Sequence, residues 1–286
     1  MIVAVASGKG GTGKTTVCAS LASVWNGPLV AVDLDVEEPN LHLFLRPEIR
    51  RYEPVTLEVP VLYSDKCTLC GVCAEFCQFK AISVLGKIVM VFPEMCHGCG
   101  GCLALCPERA LSPGARELGQ LEFGQADAAR FLAGRLRVSE AMSPPLMRVV
   151  KARLADMLAE LPADVVIDAP PGVSCPAVSA VRDSDVILLV TEPTPFGFHD
   201  FKLAWEAFAP LRKPMCVVIN RAGLGDASVA NFCRDKGLPL LAEIPYERAI
   251  AESYARGEII AHLNGRMRGV FTGLRDRLRE LEAAHA

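Results

Sequence analysis

A glycine-rich segment directly after the first apolar run limits the fold of this chain more than any other feature. The apolar run is Ile2–Ala6, and residues 8–15 after it have the pattern G-x-x-x-x-G-K-[ST]. A helical pattern over residues 16–24 follows at once. A strand, a loop of this type and a helix, in this order, form the phosphate-binding P-loop of nucleotide-binding α/β proteins. The sequence therefore predicts a phosphate site at the end of a first buried strand.

The residue types in this loop suit a phosphate group. Glycines let backbone N–H groups wrap around phosphates, and the N terminus of the next helix adds a partial positive charge. Lys14 is placed to reach the β- and γ-phosphates, and the hydroxyl of Thr15 is placed for Mg²⁺. The alternative is a glycine-rich turn with no ligand. The predicted nucleotide-binding residues here are Gly8, Gly10, Gly11, Thr12, Gly13, Lys14, Thr15 and Thr16.

Apolar runs rich in β-branched residues alternate with helical patterns on both sides of the middle of the chain. Continuous apolar strands between helices are typical of a parallel sheet covered on both faces. We therefore predict an α/β fold, a doubly wound, mostly parallel sheet. A strand over residues 134–138 and helices over residues 145–161 and after residue 265 complete this prediction. The alternation stops between residues 61 and 112, which indicates an inserted domain between residues 1–60 and 113–286 of the P-loop domain.

The insert contains one cysteine pattern twice. Eight of the twelve cysteines lie in it, as Cys-x₂-Cys-x₂-Cys-x₃-Cys and a second copy 29 residues later. This is the spacing of bacterial two-cluster ferredoxins, in which the fourth cysteine of each copy binds the other cluster. The insert is therefore predicted to be a small α+β, bacterial-ferredoxin-like domain. The predicted ligands of the two [4Fe–4S] clusters are Cys67, Cys70, Cys73 and Cys106 for the first, and Cys77, Cys96, Cys99 and Cys102 for the second.

Zinc is the alternative ligand of these cysteines. Zinc ribbons place their Cys-x₂-Cys pairs further apart and use four ligands, so zinc fits the pattern less well. The sequence departs from the ferredoxin pattern where Gln78, and not proline, follows Cys77. That departure leaves every ligand in place. Cys175 lies outside the insert, shortly after Asp168, and whether it acts at a dimer interface stays open.

A second lysine in the P-loop, Lys9, directly follows the first glycine. This "deviant" Walker A loop resembles that of the MinD/ParA/Mrp superfamily of P-loop ATPases, which includes the nitrogenase iron protein. The resemblance implies a homodimer, or a heterodimer with a related ATPase, in which Lys9 reaches the ATP of the partner subunit. It also implies ATP and ADP as ligands and Mg²⁺-dependent ATP hydrolysis.

Four further segments match this superfamily. Asp35 is similar to the acidic residue that orients the attacking water near Mg²⁺, and Asp168 to the Walker B aspartate that holds Mg²⁺ through water. Asn220 and Arg221 resemble the adenine-binding segment, and Pro245 lies in a loop like the one that closes over the base. For each aspartate alone, a cap at a strand end is the simpler interpretation. The resemblance thus implies Lys9, Lys14, Asp35 and Asp168 as catalytic residues, and Thr15, Asp35 and Asp168 around Mg²⁺.

Composition and charge limit which partners the protein binds and where in the cell it is found. A net charge of −3 and a pI near 6.0 argue against nucleic-acid binding, which normally requires a basic surface. No apolar run approaches the roughly 18 residues of a membrane span. The first residues lack the basic flank of a signal peptide. We therefore expect a cytoplasmic protein with no membrane span and no nucleic-acid partner.

Three functions are compatible with these features. The first is electron transfer or redox signalling gated by ATP, with an unidentified redox partner. The second is an iron–sulfur carrier of the Mrp kind, although the sequence lacks the C-terminal Cys-x-x-Cys usual in those proteins. The third is a positioning or complex-assembly ATPase like MinD and ParA, with the clusters as sensors and without a basic membrane helix. We favour the first, because eight cysteines that ligate two clusters fully would retain them.

Overall fold

The computed structural model describes residues 1–284 and divides into two compact units. The first unit comprises Met1–Tyr52, Leu121–Arg135 and the residues from Met147 onward. The second comprises Glu53–Gln120 and Leu136–Leu146. The predicted insert, residues 61–112, falls inside the second unit, which also includes residues on either side of it.

Eleven strands are present in the described residues. In chain order they are β1 (Ile2–Ala6), β2 (Leu29–Asp33), β3 (Glu48–Leu62), β4 (Ile82–Leu85), β5 (Ile88–Val91), β6 (Leu111–Ala126), β7 (Ala129–Leu136), β8 (Asp164–Asp168), β9 (Val186–Thr191), β10 (Met215–Ala222) and β11 (Leu240–Pro245).

Ten α-helices occur in the same residues. They are α1 (Lys14–Ser23), α2 (Leu41–Leu45), α3 (Val72–Phe76), α4 (Gly101–Leu105), α5 (Ser143–Glu160), α6 (Cys175–Val181), α7 (Pro195–Phe208), α8 (Ser228–Lys236), α9 (Arg248–Ala255) and α10 (Gly265–Ala283). None of these helices has the length and the apolar character that crossing a membrane requires.

The first unit is built on a mostly parallel sheet. The strand order is β11-β10-β9-β1-β8-β2-β7-β6-β3, and β6 and β3 belong to this unit by one end each. Every neighbouring pair from β11 to β7 is parallel. Residues 127–128 alone join β6 to β7, so these two strands form an antiparallel hairpin. The predicted α/β class with a large, mostly parallel sheet is confirmed.

The core of this unit lies on the faces of the central strands. β2 and β9 are buried along their whole length, because their residues are apolar on both sides of the sheet. The last helix, α10, packs Phe271, Leu274 and Leu278 into the same buried cluster as Leu21 of α1. Each fully buried side chain of this size contributes about 1.5–3 kcal/mol to stability. The predicted C-terminal helix is therefore part of the core.

The strands on either side of the insert are longer than the sequence predicts. β3 continues through residue 60, where the sequence placed a domain boundary, and β6 occupies much of a stretch to which no structure was assigned. The strand predicted for residues 134–138 is the end of β7, which stops at Leu136, and Val138 is 89% exposed.

The second unit repeats one backbone pattern at the spacing of its cysteines. A short 3₁₀ turn at Ser64–Lys66 recurs at Pro93–Met95, and α3 recurs as α4. The backbone N–H groups of Ala81 and Ala110 donate to the Sγ atoms of Cys77 and Cys106 at 3.3 and 3.2 Å. Between the copies, β4 and β5 pair in antiparallel fashion. The repeat in the sequence is thus also a repeat in the backbone.

Candidate functional site

The P-loop connects β1 to α1 at the carboxyl edge of the parallel strands. Two aspartates end the neighbouring strands β2 and β8, and Asp33 and Asp168 stand opposite each other in register. Lys14, the first residue of α1, reaches over this edge and donates from Nζ to Asp168 Oδ1 at 2.7 Å. Both side chains are buried, 7% and 1% exposed. A buried ion pair therefore lies beneath the predicted phosphate site.

The charges around Lys14 act on one another. Burial lowers the pKa of Lys14, but the ion pair with Asp168 and the nearby Asp35 and Asp33 outweigh it, so that pKa is raised. Burial raises the pKa of Asp35 to about 6; Lys14 opposes this change and Asp168 adds to it. Burial likewise holds the pKa of Asp33 well above its usual range. Three carboxyl groups thus share one lysine, a charge balance that a bound cation would improve.

Two buried oxygens at this site have no hydrogen-bond partner within residues 1–284: Oδ2 of Asp168 and Oγ1 of Thr12. Leaving such an atom unpaired costs about 1–3 kcal/mol. Carboxylate and hydroxyl oxygens are the ligands that Mg²⁺ takes in proteins, with water and phosphate completing its coordination. The unpaired oxygen of Asp168 therefore suits a Mg²⁺ ion that is bound with a nucleotide phosphate.

A cavity of about 710 Å³ opens above the P-loop. Most of the predicted nucleotide-binding residues line it, whereas Gly8, Thr12 and Asp168 do not. Thr12 and Asp168 lie beneath its floor, almost fully buried. Its walls continue past the P-loop to α2 and α9, where the rings of Phe44 and Tyr254 pack 5.6 Å apart. The predicted residues that line it are Lys9, Gly10, Gly11, Gly13, Lys14, Thr15, Thr16, Asp35, Asn220, Arg221 and Pro245.

Asn220 ties the end of β10 to the P-loop. Its Nδ2 donates to the backbone oxygen of Thr12 at 2.7 Å, and its Oδ1 accepts from the backbone N–H of Arg221 at 2.9 Å. Gly13 lies against this amide with φ +91°, and a Cβ there would stand 2.2 Å from Nδ2. Only glycine combines this backbone angle with this close approach. Asn220 therefore also fixes the loop, a role that the sequence did not indicate.

Lys9 makes its contact within the same chain. Its Nζ donates to Glu192 Oε1 at 2.7 Å, and Arg221 donates to the other oxygen of the same carboxylate. Glu192 follows β9 and its side chain is 7% exposed. Glu192 was not predictable from the sequence, because 183 positions separate it from Lys9.

Asp33 is a second residue that the sequence analysis did not single out. Its two carboxylate oxygens accept from the backbone N–H groups of Asp35 at 3.1 Å and Leu41 at 2.9 Å. Because Asp33 is fully buried, these bonds fix the loop that carries Asp35. The sequence signal that could have indicated this role was the pair Asp33 and Asp35 at the end of a strand.

The second unit contains two cavities lined by cysteines. Cys67, Cys70, Cys73 and Cys106 line one of about 20 Å³, and Cys77, Cys96, Cys99 and Cys102 line the other of about 120 Å³. The cysteines therefore divide between the cavities as the predicted ligand sets do, with the fourth cysteine of each copy beside the other copy. The first cavity is the smaller, and Cys70 in it is exposed.

The thiols of the two sets influence one another. Burial raises the pKa of Cys73, and the neighbouring Cys106 and Cys67 raise it further. Burial raises the pKa of Cys102, to which Cys96 and Cys99 also contribute. Across residues 1–284, no three His, Cys, Asp or Glu side chains converge as the ligands of one metal ion do.

A nucleotide-sized cavity, closed by a P-loop at the edge of a parallel sheet, defines a P-loop nucleotide-binding protein. The chain belongs to the CobQ/CobB/MinD/ParA nucleotide-binding domain family, whose model matches residues 3–260.

Two relatives in Methanocaldococcus jannaschii match most of the chain. Uncharacterized protein MJ0578 is 30% identical over 282 residues, 98% of this chain and 97% of the relative. Uncharacterized protein MJ0579 is 30% identical over 275 residues, 92% of this chain and 93% of the relative.

Solved structures of cell-division proteins share the fold. The cell division ATPase MinD of Pyrococcus furiosus has a TM-score of 0.59 at 22% identity, with 98% of each chain covered. The septum site-determining protein MinD of Pyrococcus horikoshii, complexed with Mg-ADP, has a TM-score of 0.60 at 20% identity, covering 100% of this chain and 98% of that one. At such identities the likeness shows the fold alone.

Proposed function

We propose that the chain is a Mg²⁺-dependent ATPase that self-associates when it binds ATP, and that it positions or assembles a protein complex in the manner of MinD and ParA. The observation that carries the proposal is the cavity above the P-loop, with Lys9, Lys14 and Asp35 on its wall and an unpartnered Asp168 oxygen beneath it. In this proposal Lys14 binds the phosphates, Asp35 orients the attacking water, and Thr15 and Asp168 hold Mg²⁺. Asn220, Arg221 and Pro245 surround the base.

The comparisons favour this function over gated electron transfer, which the sequence analysis preferred. The family and the similar folds include MinD and ParA proteins, and one solved neighbour is a complex of MinC with MinD from Aquifex aeolicus, with a TM-score of 0.57 at 16% identity. That complex supports a partner protein for this chain by analogy of fold only.

We further propose that the second unit binds two [4Fe–4S] clusters as redox sensors. Cys67, Cys70, Cys73 and Cys106 would hold one, and Cys77, Cys96, Cys99 and Cys102 the other. The support is the lining of the two cavities and the backbone N–H groups that donate to Cys77, Cys96 and Cys106 sulfurs. Such donors stabilise thiolate ligands and tune the reduction potential. When bound, the clusters supply one-electron chemistry.

Lys9→Ala is expected to retain nucleotide and to lose ATP-dependent dimerisation and hydrolysis. The reason is that the lysine would act on the ATP of the partner subunit, while Lys14 holds the ATP of its own subunit. Light scattering with Mg²⁺-ATP measures the dimer, and phosphate release measures hydrolysis. Lys87→Ala, an exposed lysine in the second unit, is the control and should behave as wild type. A Lys9→Ala chain that dimerises and hydrolyses normally would exclude this function.

Hydrolysis is expected to fall as the pH drops through about 6, the pKa to which burial raises Asp35. Only the ionised carboxylate accepts a hydrogen bond from the attacking water, so protonation removes activity and high pH preserves it. The measurement is the pH profile of kcat/KM, which reports groups of the free enzyme. Because a phosphate also titrates near 6, the nucleotide affinity of Asp35→Asn is measured over the same range. A rate that is flat from pH 8 to 5 contradicts the role of Asp35.

Electron transfer gated by ATP is a second candidate, favoured by cysteines such as Cys70 and Cys99 that are exposed at the two cavities. If nucleotide and reduction are coupled, the coupling is reciprocal and typically about 1–3 kcal/mol. For one electron this is roughly 40–130 mV. Redox titrations with ADP and with a non-hydrolysable ATP analogue measure it. Equal potentials and equal accessibility to an external oxidant exclude this candidate and leave the clusters as passive sensors.

A further inference from the structure

We propose that Glu192 holds Lys9 inside its own subunit, and that ATP-dependent self-association begins when Lys9 leaves this carboxylate. The proposal rests on the proposed function, since it takes the partner's ATP as the destination of Lys9. Glu192 is a positioning residue: Lys9 and Arg221 line the cavity above the P-loop, whereas Glu192 does not. It would set the ATP concentration at which two copies of the chain associate.

Glu192 is the fixed member of this contact. It directly follows β9, and its Oε1 accepts from Thr194 Oγ1 at 3.2 Å as well as from Lys9 at 2.7 Å. Thr194 is itself held as the N-cap of α7, where it accepts from the backbone N–H of Gly197 at 3.0 Å. A strand end and a helix start thus fix the carboxylate, and Lys9 is the long, flexible partner.

The contact is strong at neutral pH. Burial raises the pKa of Glu192, but the hydrogen bonds and charges of Lys9 and Arg221 outweigh burial, so the net pKa is lowered. The carboxylate is therefore ionised, and its bonds to both cations are charge-assisted. The side chain of Lys9 is nevertheless 30% exposed, so Lys9 is in contact with solvent as well as with Glu192.

The second cation makes the release of Lys9 feasible. A buried carboxylate that loses its sole cation is left uncompensated, which is strongly unfavourable. Here Arg221 bonds to the other oxygen of Glu192, so the charge stays paired after Lys9 departs. Arg221 also follows Asn220 directly, so a single carboxylate connects the P-loop to the segment proposed to hold the base. The arrangement suits a contact that breaks and re-forms.

Glu192→Gln tests the proposal, because the amide keeps the shape of the side chain and removes its charge. The expected result is a midpoint for dimerisation at about tenfold lower Mg²⁺-ATP, since charge-assisted bonds are roughly twice as strong as neutral ones. Light scattering against ATP concentration gives the midpoint. If Glu192 were only structural, the variant would unfold at lower temperature and dimerise less readily.

The matched control is Glu122→Gln. Glu122 lies in the same unit, its side chain is 8% exposed, and its Oε1 accepts from Arg135 at 2.9 Å. Both variants therefore remove the charge of one nearly buried carboxylate from an ion pair with arginine or lysine. We expect the control to leave the dimerisation midpoint unchanged.

A second measurement follows Lys9 directly. Acylation of lysines in the nucleotide-free chain, quantified by mass spectrometry, should show Lys9 several-fold more reactive in Glu192→Gln than in wild type. The exposed Lys87 serves as the internal reference. Unchanged reactivity of Lys9 overturns the proposal whatever the association data show.

The outcomes separate this inference from the proposed function. Wild-type dimerisation with ATP, at a midpoint that Glu192→Gln does not lower, overturns the role of Glu192 and leaves the proposed function standing. If Glu192→Gln dimerises with ATP and the wild-type protein does not, the result supports the proposal. Failure of both proteins to dimerise with ATP contradicts the proposed function and, with it, this role of Glu192.

Discussion

Lys14→Ala is expected to reduce ATP affinity by about 10²–10³-fold, the largest single effect on the nucleotide site. Lys14 stands at the start of α1 and is almost completely buried, so its charge acts on a phosphate with little screening by water. Truncating one partner of a buried, hydrogen-bonded charge pair in a complex costs about 2–5 kcal/mol of affinity, a range that includes this loss. Titration calorimetry or a fluorescent ATP analogue measures the loss.

The same substitution leaves Asp168 and Asp33 without their shared cation, so the variant is also expected to unfold at a lower temperature. A double variant, Lys14→Met with Asp168→Asn, separates the two effects, since it removes both charges and keeps side chains of similar size. Replacing a buried pair by uncharged groups is often neutral for stability. We expect the double variant to recover stability and still fail to bind ATP. Tight ATP binding by it would show that Lys14 does not carry the phosphate contact.

Cys73→Ser and Cys102→Ser are each expected to halve the iron content of anaerobically purified protein, from about eight to about four iron per chain. The two cysteines line different cavities, so each substitution should damage one cluster and leave the other. Iron and sulfide assays with electron paramagnetic resonance measure this. The double variant should contain almost none.

The control is Cys175→Ser, because Cys175 is exposed and lies outside both cysteine sets. It should retain the iron content of wild type, and a loss there would add Cys175 to the ligands. One or two zinc ions per chain without sulfide, in the wild-type protein, would contradict the cluster assignment and return zinc as the ligand.

Local chemistry made the P-loop and the parallel sheet predictable. A glycine at φ +91°, a lysine and a threonine in a fixed order specify a backbone shape, so Gly13, Lys14 and Thr15 indicate the site from a single segment. The continuous apolar runs of β2 and β9 likewise indicate strands buried on both faces. Each of these signals is carried by adjacent residues.

The contact between Lys9 and Glu192 was not predictable. No pattern along the chain brings Glu192 to Lys9, because their meeting depends on β9 and β1 being neighbours in the sheet. β6 was missed for another reason. Its glycines suggest a loop, yet a Cβ at Gly124 would stand 2.7 Å from the backbone oxygen of Glu48. There glycine permits close packing of two strands, whereas in the sequence alone a glycine suggests the end of a strand.

If the two clusters are ligated as proposed, the fourth cysteine of each copy makes the two halves of the second unit mutually dependent. Cys77, from the first copy, lines the cavity of the second, and Cys106, from the second copy, lines the cavity of the first. Neither copy is therefore a self-sufficient module that could be excised, duplicated or transplanted alone. A fragment that ended before Cys96 would keep three ligands of the first cluster, Cys67, Cys70 and Cys73, and would lack the fourth, Cys106. Its Cys77 would have no second cluster to bind. With the proposed ligand sets, loss of either copy would therefore remove at least one ligand from both clusters.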